Sequence, residues 1–419
     1  MEKKKKLFVH LYGKSTGILF QTNMGKMQFQ YLPEAEQALS LSMPFRQEPF
    51  DEVICEAYFG GLLPESELTR KAIGKQFGIN YENSFSLLSA IGHECAGAVS
   101  IYQFGEPEEL IDEVQGFVVE GIALSETELA KKIRELPQKP LFMAAKDMRI
   151  SLAGVQDKAA VSVIDDKVTI PFSGHPTTHI LKPAMPVYKD SVLNEYFCLK
   201  LAKSMGLMVP HAEIRQAEDL YFLLIERYDR KYLRSGKLHR IHQEDFCQAL
   251  GIISTNKYQA DGGPGFRESF GLLVNSKQPA VDRNQLLSYV IFNYLIGNSD
   301  AHGKNFSLLH QMDKQIRLAP LYDVMCTSVY SGITNKMAMK IASSYLPETL
   351  MPRHWEQFCE SIGFSFPIFK EILQKQINIL LNNAEVEYAK LRDYHSDTLS
   401  SVMKFIDKRC ELLKRRFGY

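Results

Sequence analysis

No C-x-x-C pair occurs anywhere in the chain. The seven cysteines, Cys55, Cys95, Cys198, Cys247, Cys326, Cys359 and Cys410, stand singly. That spacing argues against the common zinc motifs. An odd, dispersed set lying inside apolar patterns such as "EYFCLKLA" and "EDFCQAL" reads as reduced core thiols of a cytoplasmic protein. Also missing is any apolar run near the roughly 18 to 20 residues that span a bilayer. The segment "LFVHLY" is shorter than a signal-peptide core and carries a histidine. Net charge is absent as well: Lys+Arg and Asp+Glu both number 49. A neutral chain does not grip nucleic acid over its whole surface. The cluster "MEKKKKLF" is a local exception, read as a solvated terminus. No internal repeat or low-complexity tract is found.

What is present is ordinary in bulk and specific in detail. The 419 residues are 45% hydrophobic and 23% charged, a soluble globular composition with length for two or three domains. Residues 7–31 alternate in short stretches bounded by Gly, Asn or Lys, which predicts a β-meander. Spacing near three and four over much of 34–104 predicts helices. From "MRISLAGVQDKAAVSV" onward, strand patterns ("DKAAVSVID", "KVTIPF", "THILKPA") precede an amphipathic helix ending at Gly206. Two more strands follow, in "PHAEIRQAED" and "LYFLLIERYD". Beyond about residue 240 the pattern is helical almost to the end, interrupted by the glycine-rich "YQADGGPGF". A β-rich lobe followed by a helical lobe makes a natural crevice for a cofactor.

The stretch "GNSDAHGKNF", residues 297–306, is polar between two apolar segments. Asp300 and Asn305 have the D-x-x-x-x-N spacing of kinase catalytic loops. There the Asp handles the proton of the attacking hydroxyl and the Asn oxygen binds magnesium. Capped helix ends use the same residue types. Asp323 ends the apolar "IRLAPLYDV", where a second metal-holding Asp belongs, and a turn Asp is the plain alternative. Lys182 in "HILKP" sits at a strand end and can reach phosphates as a point charge. Glu195, on the following helix, is its expected partner. The loop "SLAGVQDKAAV" has one glycine, Gly154, and matches neither G-x-G-x-x-G nor G-x-x-x-x-G-K-[ST]. Its backbone amides can still approach phosphate, with Lys158 adding a contact. "FLLIERYDR", with Glu226 and Tyr228, reads as the strand between lobes that binds adenine. Each signal is weak alone; their order along the chain is the kinase order.

These blocks, with "HQEDFCQALG", "YQADGGPGF", "FGGLLPES" and "AIGHECAGAVSIY", resemble the HipA family of bacterial toxin kinases over nearly the whole chain. The resemblance implies an α+β, two-lobe protein-kinase-like fold. It divides the chain into an extra N-terminal subdomain (1–105), the rest of the β-rich N-lobe with the ATP-binding loop (106–229) and an all-helical C-lobe (230–419). It implies a serine/threonine protein kinase using ATP and Mg2+. Its partners would be a HipB-like helix-turn-helix antitoxin, operator DNA through that antitoxin, and a protein substrate such as glutamyl-tRNA synthetase, an aminoacyl-tRNA synthetase. Asp300 carries over as the catalytic residue, and Asn305 and Asp323 as metal ligands. Ser151, Ala153, Gly154, Val155, Gln156, Lys158, Lys182, Glu226, Tyr228 and His302 join those two in holding the cofactor. Ser151 carries over as the autophosphorylation site, where added negative charge would eject the loop. Val155 and Asp157 depart modestly from the family pattern. Two other readings stay open: a small-molecule kinase, and a non-catalytic corepressor on operator DNA.

Overall fold

The computed structural model describes residues 5–103, 116–140, 150–154, 156–172, 175–311 and 314–419. The chain forms two compact units. The first contains residues 1–183, 215–255 and 309–314; the second contains 184–214, 256–308 and 315–419.

The first unit opens with the expected meander: β1 (Lys6–Leu11), β2 (Lys14–Gln21) and β3 (Met27–Tyr31). Helices α1 (Glu52–Phe59), α2 (Glu67–Phe77) and α3 (Ser84–Ile91) follow, and β4 (Val99–Gln103) completes a sheet of order β3-β2-β1-β4. Each of these helices starts where Asp51, Ser66 or Asn83 accepts a backbone N–H from the first turn, which satisfies donors that a helix start leaves open. Gly78, left-handed at φ 66°, ends α2, as a glycine cap does.

The second sheet is built from β5 (Gly121–Ala123), β6 (Ala159–Ile164), β7 (Lys167–Pro171), β8 (His179–Pro183), β9 (Ala212–Ala217) and β10 (Leu220–Glu226), in the order β5-β7-β6-β8-β10-β9. Its flank carries α4 (Glu126–Glu135), begun by a Ser125–Glu128 capping box. Strands β8 and β10 pair antiparallel, with Lys182 opposite Leu223 and Glu226 opposite His179. Val9, Phe29, Phe59, Leu88, Val161, Leu181 and Phe222 share one buried core, which spans both sheets. The sheets are therefore parts of one folded body rather than separate layers.

In the second unit lie α5 (Ser191–Ser204), α7 (Phe266–Leu272), α8 (Pro279–Ile296), α9 (Pro352–Ser361), α10 (Phe366–Ala389) and α11 (Asp397–Phe417). The remaining helix, α6 (Phe246–Leu250), belongs to the first unit. The expectation of helices alone beyond residue 230 needs correction. Five short strands lie there: β11 (Arg230–Tyr232), β12 (Leu238–Arg240), β13 (His242–Asp245), β14 (Ser307–His310) and β15 (Ile316–Leu318). At three or four residues each, they are too short to set up a readable alternation.

Helix α8 is what sets the position of the polar loop at 297–306. Pro279 begins it, and Leu286, Leu287, Val290, Ile291, Phe292, Leu295 and Ile296 are all buried. It stops at Gly297, left-handed at φ 73°. A side chain at that position would place its Cβ 2.4 Å from the Phe405 ring. Glycine is therefore required there both by conformation and by the neighbour.

Candidate active site

In the second unit, the polar residues after Gly297 fold back onto their own backbone. Asn298 accepts the Asp300 amide through its side-chain oxygen at 3.1 Å and donates to Asn293 Oδ1 at 2.8 Å. Thr327 Oγ1 accepts the Ser299 amide at 2.8 Å. The His302 amide donates to the Asp300 carbonyl at 2.8 Å. Asn305 donates its side-chain amide to that same carbonyl at 2.8 Å. Asn298, Ser299, His302, Lys304 and Asn305 are buried, whereas the Asp300 side chain is 51% exposed. The loop thus buries Asn298, the Ser299 amide and the Asn305 amide group with partners, as buried polar groups require, and presents one carboxylate to solvent.

That carboxylate is met from another loop. Tyr258 donates its phenol hydroxyl to Asp300 Oδ1 at 2.6 Å. The Tyr258 ring stands edge-on to His302, with centroids 5.1 Å apart. His302 Nε2 lies 4.0 Å from Asp300 Oδ2. Asp323 adopts a left-handed φ of 52°, a conformation that Asp tolerates better than most residues. The neighbouring Tyr322 hydroxyl donates to the Lys304 carbonyl at 2.6 Å and shares a 2.6 Å hydrogen bond with Ser307. The segment carrying Asp323 is thereby tied to the 297–306 loop. Glu195 is buried on α5.

The first unit holds the remaining sequence-derived residues. Ser151 is wholly buried. Its amide donates to the Glu94 carbonyl at 2.8 Å and its hydroxyl to the Leu62 carbonyl at 2.6 Å. The Glu65 amide donates to the Gly154 carbonyl at 3.1 Å. Ala153, Gly154, Gln156 and Lys158 are half-buried, and Val155 lies outside the described residues. Gln156 donates to the Pro183 carbonyl at the end of β8, at 3.4 Å. Burial raises the Asp157 carboxyl above the ordinary carboxylate range. Gly154 has φ 107°, and a Cβ there would come within 2.7 Å of Lys158 Nζ. The absent side chain is what makes room for an ammonium over the loop. Lys182 is only 4% exposed on β8. Glu226 is exposed at the end of β10, and Tyr228 donates to Gln243.

Sequence reasoning missed two sets of residues. Tyr258 is one. The other is a buried ionic cluster behind the Ser151 loop. Glu94 Oε1 accepts from Thr177 N and Oγ1 at 2.9 Å each and from Arg230 at 2.8 Å. Arg227 and Asp229 are joined by two hydrogen bonds, at 2.9 and 2.8 Å. Burial alone would push the Glu94 and Asp229 carboxyls up; Arg227 and Arg230 reverse this and hold both below the ordinary range. Arg230 falls to about 10 through burial and the Arg227 charge. One residue, Glu94, thus grips the Ser151 loop by its backbone and the segments flanking β8 and β10 by its side chain.

Among the described residues, no three His, Cys, Asp or Glu side chains cluster as a metal site. A kinase magnesium needs no such cluster, because an Asn, an Asp and phosphate oxygens supply its ligands. No helix of the described residues is long and apolar enough to cross a membrane.

The HipA N-terminal domain matches residues 7–102 and the HipA-like C-terminal domain matches 150–384. A curated Sinorhizobium fredii protein named "Putative kinase Y4mE" is 37% identical over 391 residues, 92% of this chain and 91% of its own length. The serine/threonine-protein kinase toxin HipA of Shewanella oneidensis is 28% identical over 322 residues, 72% of this chain and 70% of its own. The fold is similar to a chain of the solved S. oneidensis complex of HipA, HipB and operator DNA. The TM-score is 0.84 at 23% identity, with 99% of this chain and 98% of that chain covered. With both domain types matched in order, and a relative aligned over nearly its full length, this chain belongs to the HipA family of toxin kinases.

Proposed function

We propose that the chain is a serine/threonine protein kinase toxin that transfers the ATP γ-phosphoryl group to a protein hydroxyl. The observation that carries this reading is the Asp300–Asn305 loop. The Asn305 amide nitrogen is committed to the Asp300 carbonyl, so its Oδ1 is directed away from that carbonyl. This oxygen is the hard ligand that magnesium takes. Asp323 is the second ligand on this reading. The space that Gly154 leaves for Lys158 suits a phosphate group, and loop amides and an ammonium are the usual donors to it.

Mg-ATP, when bound, supplies the phosphoryl group and the charge-neutralising cation. The chain's own residues do the rest. The Ser151–Lys158 loop and Lys182 bind phosphate oxygens, with Glu195 as the counter-charge of Lys182. Glu226 and Tyr228 lie on the segment that takes adenine. Asp300 orients the acceptor hydroxyl and receives its proton. His302 braces the loop. By the same reading, residues 1–105 act as an N-terminal subdomain, Ser151 is an autophosphorylation site, and the partners are a HipB-like antitoxin and, through it, operator DNA. An aminoacyl-tRNA synthetase is the proposed substrate class.

The test is the intact mass of purified protein before and after Mg-ATP, with peptide mapping, beside Asp300→Asn. One phosphate added to Ser151 in wild type only, with nucleotide binding retained in the variant, supports the reading. An Asp300→Asn protein that still incorporates phosphate overturns the assignment of Asp300.

A further inference from the structure

The glycine-rich segment "YQADGGPGF", Tyr258–Phe266, has no part in the mechanism above, yet much of the second unit's local structure goes into fixing it. The Asp261 and Gly263 amides both donate to the Tyr258 carbonyl, at 3.0 and 2.9 Å, and the Gly262 amide donates to the Gln259 carbonyl at 3.2 Å. The glycines permit this closure. Gly262 has φ 92°, and a Cβ on Gly263 would lie 2.3 Å from the Asn256 carbonyl oxygen. The segment is tethered at two further places. The Gly303 amide, inside the catalytic loop, donates to the Lys257 carbonyl at 3.2 Å. On the other side, Gln259 exchanges hydrogen bonds with the segment at 338–340, its amide to Ala338 O at 3.1 Å and its side-chain oxygen from Lys340 N at 2.8 Å. The product of this bracing is one phenol hydroxyl held 2.6 Å from Asp300 Oδ1.

We infer that Tyr258 is a positioning residue for phosphoryl transfer: by holding Oδ1 it fixes the Asp300 rotamer and leaves Oδ2 for the acceptor hydroxyl. The inference rests on the kinase reading of Asp300. An exposed carboxylate otherwise samples several rotamers, because its terminal torsion is broad. A reacting oxygen must be held close to its productive geometry for the proton to be taken as the phosphoryl group moves. Tyr258 meets that need through its hydroxyl, 2.6 Å from Oδ1. Its ring, packed edge-on to His302, sets the direction of its hydroxyl. The tether from Gly303 to Lys257 makes the catalytic loop and the Tyr258 loop move together, so the carboxylate stays registered with its anchor.

The test compares wild type, Tyr258→Phe, Tyr258→Ala and Asp300→Asn as full chains. Radiolabelled phosphate transfer from Mg-ATP to the chain itself and to casein is measured, along with the affinity for Mg-ADP. Tyr258→Phe keeps the ring on His302 and removes only the hydroxyl. The expected result is a fall in transfer rate of about 10- to 100-fold, the scale of one hydrogen bond to a charged group. The Mg-ADP affinity and the KM for ATP should stay within twofold of wild type. Transfer by Tyr258→Phe at the wild-type rate overturns the positioning role while the kinase reading stands. So does a Phe variant as active as wild type beside an inactive Ala variant, because the ring alone would then matter. Absence of transfer in wild type itself, with Mg-ADP still bound, overturns the kinase reading and this inference with it.

Discussion

Asn305 and Asp300 are joined through the backbone: the amide of one side chain rests on the carbonyl of the other residue at 2.8 Å. The five-residue spacing is thus a closed turn, bridged by one hydrogen bond between the two residues. That bond also chooses which end of the Asn305 amide is offered outward. On the proposed reading, a carboxamide oxygen so presented would serve as the metal ligand; a nitrogen in its place would repel a cation.

Substituting Asn305→Ala separates the two duties of this side chain. Losing the bond to Asp300 should cost about 1 kcal/mol of stability, the usual net worth of a hydrogen bond. Losing the ligand should abolish magnesium-supported transfer. Calorimetric titration with ADP, run with and without magnesium, checks this. In wild type the metal should tighten ADP binding, and in the variant this enhancement should disappear while metal-free binding persists. Enhancement of wild-type size in the variant would remove Asn305 from the metal site.

How much of this was legible beforehand depends on distance along the chain. Asp300 and Asn305 are close neighbours, and Gly297 with the apolar helix before it marks where the loop begins, so the pattern could be read directly. The first meander and the strands around Lys182 and Glu226 were legible for the same reason, since their alternation is local. Tyr258 was not, because it meets Asp300 across 42 positions and no pattern within its own loop points to a partner. The density of glycines there did signal a tightly constrained backbone. The ionic cluster was further out of reach. Glu94 meets Arg227 across 133 positions, and a lone Glu or Arg looks the same whether it becomes a solvated surface group or a buried pair. The strands β11–β15 escaped because three or four residues cannot establish a period.

Ser151 presents a conflict between its place and its proposed modification. Its hydroxyl is wholly buried and donates to the Leu62 carbonyl at 2.6 Å. A phosphate there would put about −1.5 to −2 charges against a carbonyl acceptor. The modified loop cannot remain in this position. Ser151→Asp should mimic the consequence, with weaker Mg-ATP binding and new proteolytic cleavage between residues 150 and 158. Ser151→Ala, which removes one hydrogen bond and adds no charge, should bind Mg-ATP within a fewfold of wild type. Limited proteolysis beside nucleotide titration reads both. Full Mg-ATP affinity in Ser151→Asp would show that the loop tolerates charge where it stands.

His242 gives the first unit a dependence on pH whose sign is fixed by its surroundings. Burial, then the neighbouring His310, lower its ionisation to about 3. Its Nε2 is 2.7 Å from the Leu39 carbonyl, so the neutral ring donates there. The Tyr12 and His310 rings pack against it, 6.5 and 4.8 Å between centroids, and His310 pairs with Glu244 at 2.8 Å. Arg240 disfavours the charged ring and Asp229 favours it. Unfolded, a histidine takes up its proton near pH 6.5; folded, this one stays neutral. Between those limits the unfolded state binds more protons, so stability is complete above about pH 6.5 and is lost as pH falls. From pH 7.5 to 5.5 the loss from this residue should be about 1.4 kcal/mol. His242→Gln retains an N–H for the Leu39 carbonyl but cannot titrate. Its stability should be lower at pH 7.5 and should fall by about 1.4 kcal/mol less than wild type over that interval. Exchange of the most protected amides in β1 and β10 measures this within the first unit. Equal losses in the two proteins would mean that His242 is protonated in the folded state over this range, with the Leu39 carbonyl and Asp229 outweighing the effect of burial.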